Sequence, residues 1–228
     1  MRITLMMFSL ILMAVPLDSN DFLEISATHE LKELVFNNKE NSNLSLPSPE
    51  VLSLAIKGYT WLEAEGKIHH KKPLVVLDFS LPSTEKRIWV IDVESGEILF
   101  HDYVSHGKNS GDLYARSFSN SNSSYQSSLG FYLTAETYNG KHGYSLRLDG
   151  LEEGINDNAR SRAIVIHGAE YANPDFIEKT GRLGRSLGCP ALPQESAQTL
   201  INLIKENSCL FIYGDSPEYF QNSTVLKS

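Results

Sequence analysis

The chain is short of basic residues, short of cysteine and without a long apolar run beyond its first residues, and each shortage argues something away. Lysine and arginine number 20 against 28 acidic residues, a formal net charge of −8. A nucleic-acid surface would show clustered lysines and arginines, so no nucleic-acid partner is expected, and pairs such as Lys71-Lys72 read as solvated loop charges. His106 and His142 sit among glycines and could border a cleft, but they lack a supporting cluster of ligands, so no metal is expected. No internal repeat is visible. At 228 residues with 41% hydrophobic content the chain can bury one main core plus extensions.

The apolar stretch at the start holds Leu5, Met6, Met7, Phe8, Leu10, Ile11, Leu12 and Met13 behind a single charge at Arg2. It falls short of the ~20 residues that span a bilayer, and Pro16, Asp18, Ser19 and Asn20 follow it. This is the pattern of a secretory leader over residues 1–19, which implies export and no stable membrane insertion once the leader is removed. An uncleaved anchor is the plainer alternative. No cysteine follows the apolar run, which argues against lipid modification there.

Residues 20–72 read as an N-terminal helical arm. Glu30, Leu31, Leu34, Val35 and Phe36 suggest a short helix before the Asn/Ser tract at 41–45. Ser48 then offers an N-cap, Pro49 a first helical position, and Leu52, Ala55, Ile56, Tyr59 and Leu62 a single apolar face. From Leu74 the periodicity shortens. Leu74–Phe79, Arg87–Val93, Glu97–Val104, Gly130–Glu136, Tyr144–Leu148, Ala163–His167 and Cys209–Tyr213 read as strands, and Glu94-Ser95-Gly96 as a hairpin turn. Residues 109–128, rich in Ser, Asn and Gly, read as a flexible polar insertion in preference to a loop bordering a cleft. Ala197, Leu200, Ile201 and Ile204 mark a C-terminal amphipathic helix. The expected fold is mainly β, a β-sheet domain over 73–214 with an N-terminal helix, a C-terminal amphipathic helix and a tail at 215–228.

The two cysteines differ in context. Cys209 lies in the apolar run Cys209-Leu210-Phe211-Ile212-Tyr213 and reads as structural and unpaired, whereas Cys189 lies between Gly188 and Pro190 in a turn-rich loop. A free thiol is only a few per cent ionised at neutral pH, so a nucleophilic cysteine needs an imidazole or a positive dipole nearby. His167, at the end of the apolar strand Ile164-Val165-Ile166, can supply it. The amides of Gly188 and Cys189 could face a developing oxyanion, as acyl transfer requires.

His167-Gly168 followed by Ser186-Leu187-Gly188-Cys189 resembles the signature of the L,D-transpeptidases. Trp89-Val90-Ile91-Asp92, Ser105-His106-Gly107-Lys108-Asn109-Ser110-Gly111, Ser128-Leu129-Gly130 and Gly140-Lys141-His142-Gly143 resemble the murein L,D-transpeptidase branch, in the same order along residues 73–214. The resemblance implies a periplasmic or secreted enzyme acting on peptidoglycan stem peptides. In it Cys189 would form a thioester and His167 would move the proton, with Gly168 O holding the imidazole because no acidic side chain stands beside it. Neither cofactor nor metal is implied, and oligomeric state is left open.

Two departures from the family pattern bear on the site. Leu187 stands where many members have a second histidine, and Pro190-Ala191 where many carry an arginine. Arg185 or Arg182 could replace that arginine as a fork for a substrate carboxylate, or could be loop charges neutralised by nearby acids. Ser186 and Tyr171 complete the expected substrate-binding set, Tyr171 as a cover, a donor or a packed aromatic. The rival functions are a thiol-dependent L,D-carboxypeptidase, with water as acceptor, and a non-catalytic wall-binding module.

Overall fold

Ser48 starts a helix as expected: its Oγ accepts the Val51 N–H at 3.2 Å, and Pro49 occupies the first turn, where a missing N–H costs nothing. The computed structural model describes residues 19–68 and 71–227, with side chains from residue 28 onward in the first helix. The expected leader therefore lies outside the described residues, apart from Ser19. In chain order the elements are α1 (Ser19–Asn37), α2 (Pro49–Ala64), β1 (Leu74–Asp78), β2 (Ile88–Ile91), β3 (Ile98–Asp102), β4 (Gly130–Gly140), β5 (Gly143–Gly150), β6 (Val165–Gly168), α3 (Pro174–Thr180), β7 (Ala191–Leu192), α4 (Ala197–Ile204), β8 (Cys209–Tyr213) and α5 (Pro217–Asn222).

All eight strands form one mixed sheet, ordered β3-β2-β1-β8-β4-β5-β6-β7. The pairs β1–β8 and β6–β7 are parallel and the others antiparallel. β1, β2 and β8 are buried along their whole length, which is why they read as continuous apolar runs with no polar alternation. The chain leaving edge strand β3 returns to the opposite edge: the Ser105 N–H donates to Ala191 O at 2.7 Å and the Lys108 N–H to Ser186 O at 2.8 Å. That closure brings the segment 105–108 against the loop that carries Cys189.

The parts read as an arm and a tail share the sheet's core. Val51, Leu52, Ala55, Ile56 and Leu62 of α2 pack in one cluster with Leu74, Val76, Phe211 and Ile212. Tyr219 and Val225 at the C-terminal end are also buried in it. The end is anchored by Glu152, a fully buried carboxylate that accepts the Phe131 N–H at 2.8 Å, the Tyr219 hydroxyl at 3.2 Å and the Ser223 hydroxyl. Such bonds are what make burial of a carboxylate tolerable. α3, α5 and the two-residue strand β7 are too short to leave a periodic signal in the sequence. Among the described residues no helix is long and apolar enough to cross a membrane.

Candidate active site

β6 and β7 position the chemistry. Their parallel register pairs His167 with Ala191 and Gly168 with Leu192. Two residues back along both chains, Cys189 comes opposite Val165, whose N–H points at the Cys189 sulfur from 3.4 Å. Val165 and His167 are two apart on one strand and so share a face of the sheet. The Cys189 sulfur also lies 3.6 Å from Ala163 O.

The His167 ring is buried, with Nδ1 2.9 Å from Gly168 O. A carbonyl can only accept, so Nδ1 carries the proton and Nε2 of the neutral ring keeps its lone pair. The expected contact between His167 and Gly168 is thus present. Burial lowers the His167 pKa; the bond to Gly168 opposes this, and His142 lowers it further. His142 comes from the Lys141-His142 turn between β4 and β5, and its ring stacks on that of His167 with centroids 4.4 Å apart and planes 27° apart. Burial pushes the Cys189 thiol up, against the opposing effects of the Val165 N–H and the Arg162 charge. Both shifts run toward the uncharged forms of thiol and imidazole. Burial thus works against the thiolate that the sequence leads one to look for.

Ser186 braces the cysteine loop. Its Oγ accepts the Gly188 N–H at 3.0 Å and donates to Cys189 O at 2.6 Å. Of the two amides expected at an oxyanion, Gly188 is therefore engaged, whereas the Cys189 N–H has no acceptor among the described residues. Gly188 adopts φ +125°, and a Cβ there would lie 2.8 Å from Gln126 O. The glycine is required by backbone conformation and by close approach together.

Arg185 and Arg182 both reach Asp112, at 2.8 and 3.3 Å. Arg185 also donates to Gly111 O at 2.9 Å, and Arg182 to Leu183 O at 2.7 Å. Both guanidinium groups are thus engaged within the loops. Tyr171 is half-buried against Gly184, and its pKa is raised by burial first and then by the charge of Cys189. His106 does not border the cleft: it is buried, with Nδ1 2.9 Å from Arg87 Nη2 and Nε2 3.3 Å from Gly111 O. Cys209 is a free, fully buried thiol in β8. Among the described residues no group of three potential metal ligands gathers.

The segment 109–128 is no loose insertion. Ser127 Oγ donates to Gly188 O at 3.2 Å, and Arg162 donates to the loop at four points. No sequence motif marks Arg162, since its partners lie 34 to 43 residues away.

The profile of the L,D-transpeptidase catalytic domain matches residues 40–213, about three-quarters of the chain. The chain belongs to that family. Among solved structures it is similar to an L,D-transpeptidase from Mycobacterium smegmatis, at 14% identity over 63% of this chain and 59% of that one, with a TM-score of 0.38. It is similar to L,D-transpeptidase 3 from Mycobacterium tuberculosis at 14% identity, over 62% of each chain, TM-score 0.39. A fused Zn-dependent amidase/peptidase/peptidoglycan-binding domain-containing protein from Clostridium acetobutylicum shares 12% identity over 74% of this chain and 63% of that one, TM-score 0.38. The chain spans about three-fifths of the length of these structures. No curated protein matches the chain.

Proposed function

We propose that the protein is an exported cysteine L,D-transpeptidase of the bacterial cell envelope, with Cys189 as nucleophile and His167 as base. The observation that carries this reading is the β6–β7 register, which sets Cys189 at the edge of the strand that holds His167, while Gly168 O fixes the imidazole with Nε2 unprotonated. As the Cys189 sulfur attacks the carbonyl of the L-centre in a tetrapeptide stem, His167 Nε2 takes the thiol proton. The free Cys189 N–H faces the developing oxyanion. His167 then protonates the leaving amine, the terminal D-residue departs, and a thioester remains. Attack by an acceptor amine, which gives its proton to His167, releases the cross-linked product and restores the thiol.

The leader over 1–19 is removed on export, and the catalytic residues lie in 73–214, against which the helices of 20–72 and the segment 215–228 pack. An intact Met1 on protein recovered outside the cytoplasm contradicts the leader. Incubation of the mature protein with purified tetrapeptide muropeptides, followed by mass analysis, tests the reaction. A cross-linked dimer supports transfer and a trimmed tripeptide points to hydrolysis. Unchanged tetrapeptide from protein whose Cys189 still alkylates overturns the reading.

A further inference from the structure

Arg162 takes no part in the reaction above, yet it is the hub of the contacts around the cysteine loop. It lies half-buried three residues before β6. Nη1 donates to Ser119 O at 2.7 Å and Ser128 Oγ at 2.5 Å; Nη2 donates to Gln126 O at 2.7 Å and Ser124 Oγ at 3.1 Å. All four acceptors lie in the 119–128 loop, and a planar fork with several fixed donors can gather them where an ammonium cannot. The same loop meets the backbone next to Cys189. Gln126 O and Arg162 Nη2 lie 2.8 and 3.5 Å from the point a Gly188 Cβ would occupy, and Ser127 Oγ donates to Gly188 O.

We propose that Arg162 is a positioning residue for Cys189: its guanidinium ties the 119–128 loop against Gly188, which makes that loop a wall of the site and fixes the peptide on which the nucleophile sits. The inference rests on the functional reading only in taking Cys189 as the nucleophile. Electrostatics agree with the geometry. The side chains that interact electrostatically with the Cys189 sulfur are Arg162 and Tyr171, while His167, with His142 stacked on it, lies two residues along β6 from Val165. Of these only Arg162 carries a permanent positive charge, and that charge favours the thiolate against the effect of burial.

Three variants separate holding the loop from supplying the charge: Arg162→Gln, Arg162→Lys and the pair Ser124→Ala with Ser128→Ala. Each is read by hydrogen exchange of the 119–128 amides and by the pH profile of Cys189 alkylation with iodoacetamide. Arg162→Gln is expected to speed exchange in 119–128 at least tenfold and to move the alkylation midpoint to higher pH. Arg162→Lys should speed exchange while holding the midpoint closer to that of the wild type. The serine pair should speed exchange and leave the midpoint in place. A folded Arg162→Gln protein with unchanged exchange and an unchanged profile overturns the proposal. If Arg162→Gln does not fold, unchanged exchange in the serine pair overturns it instead. Neither readout needs a stem peptide, so a wild-type protein that labels as expected but turns over no muropeptide counts against the function alone.

Discussion

The Val165 N–H points at the Cys189 sulfur from 3.4 Å, so the strand that carries His167 also holds Cys189. One amide is too little to offset desolvation, and burial keeps the thiol pKa above its ordinary value. Alkylation of Cys189 is therefore expected to be slow at neutral pH and to rise with a midpoint above the ~8.5 of a free thiol. His167→Ala should leave that midpoint nearly in place while lowering turnover of a tetrapeptide stem about 100-fold or more. Fast labelling at pH 7 that disappears in His167→Ala would instead establish a resting thiolate–imidazolium pair.

His142, stacked on His167, is expected to govern the acidic limb of turnover. A positive charge at His142 lowers the His167 pKa, and in the proposed reaction His167 works as a base only when neutral. His142→Phe keeps a ring in the stack but removes that charge, so the His167 pKa should rise and the acidic limb of kcat/KM should move to higher pH. An unmoved limb contradicts the coupling.

Gly188→Ala should damage the loop as well as the chemistry. Its φ of +125° disfavours a side chain, and the new Cβ would press on Gln126 O. A loss of about 1–3 kcal/mol is expected, a fall in Tm of several degrees, together with loss of turnover. Wild-type Tm and turnover would show that the loop relaxes freely.

The buried pair of Arg87 and His106 predicts a window of acid sensitivity. Burial foremost, and then the Arg87 charge, lowers the His106 pKa from 6.5 to about 4. Between those values the unfolded chain binds the proton and the folded protein does not, so stability rises with pH through the window and falls as acid is added. The full effect is of order 3 kcal/mol. His106→Gln should remove this slope between pH 6.5 and 4 in denaturant titrations. Asp78 and Glu152, whose carboxyls burial pushes up, act in the opposite sense in both proteins and cancel in the comparison.

Cys209→Ala should retain activity and lose about 1–2 kcal/mol, since removing a fully buried sulfur from β8 leaves a small cavity against one face of the sheet. Mass spectrometry of active protein should find no bond between Cys189 and Cys209. Such a bond in active enzyme would contradict the separate roles of the two thiols.

Local chemistry alone determined most of the strands, the helix begun by Ser48 and Pro49, and the contrast between Cys189 and Cys209. Those features depend on apolar periodicity, capping and turn residues within a few positions of one another. The order of strands, the return of Ser105 to Ala191, and the neighbours of each loop charge were decided only by the tertiary structure. Arg182 and Arg185 are adjacent in sequence to the nucleophile's motif, yet both fold onto Asp112, while Arg162, in a stretch with no motif, reaches four acceptors in a distant loop. The same holds for ionisation. The burial that raises the Cys189 pKa is set by what packs around the sulfur in three dimensions, which a cysteine paired in sequence with a strand ending in histidine does not reveal.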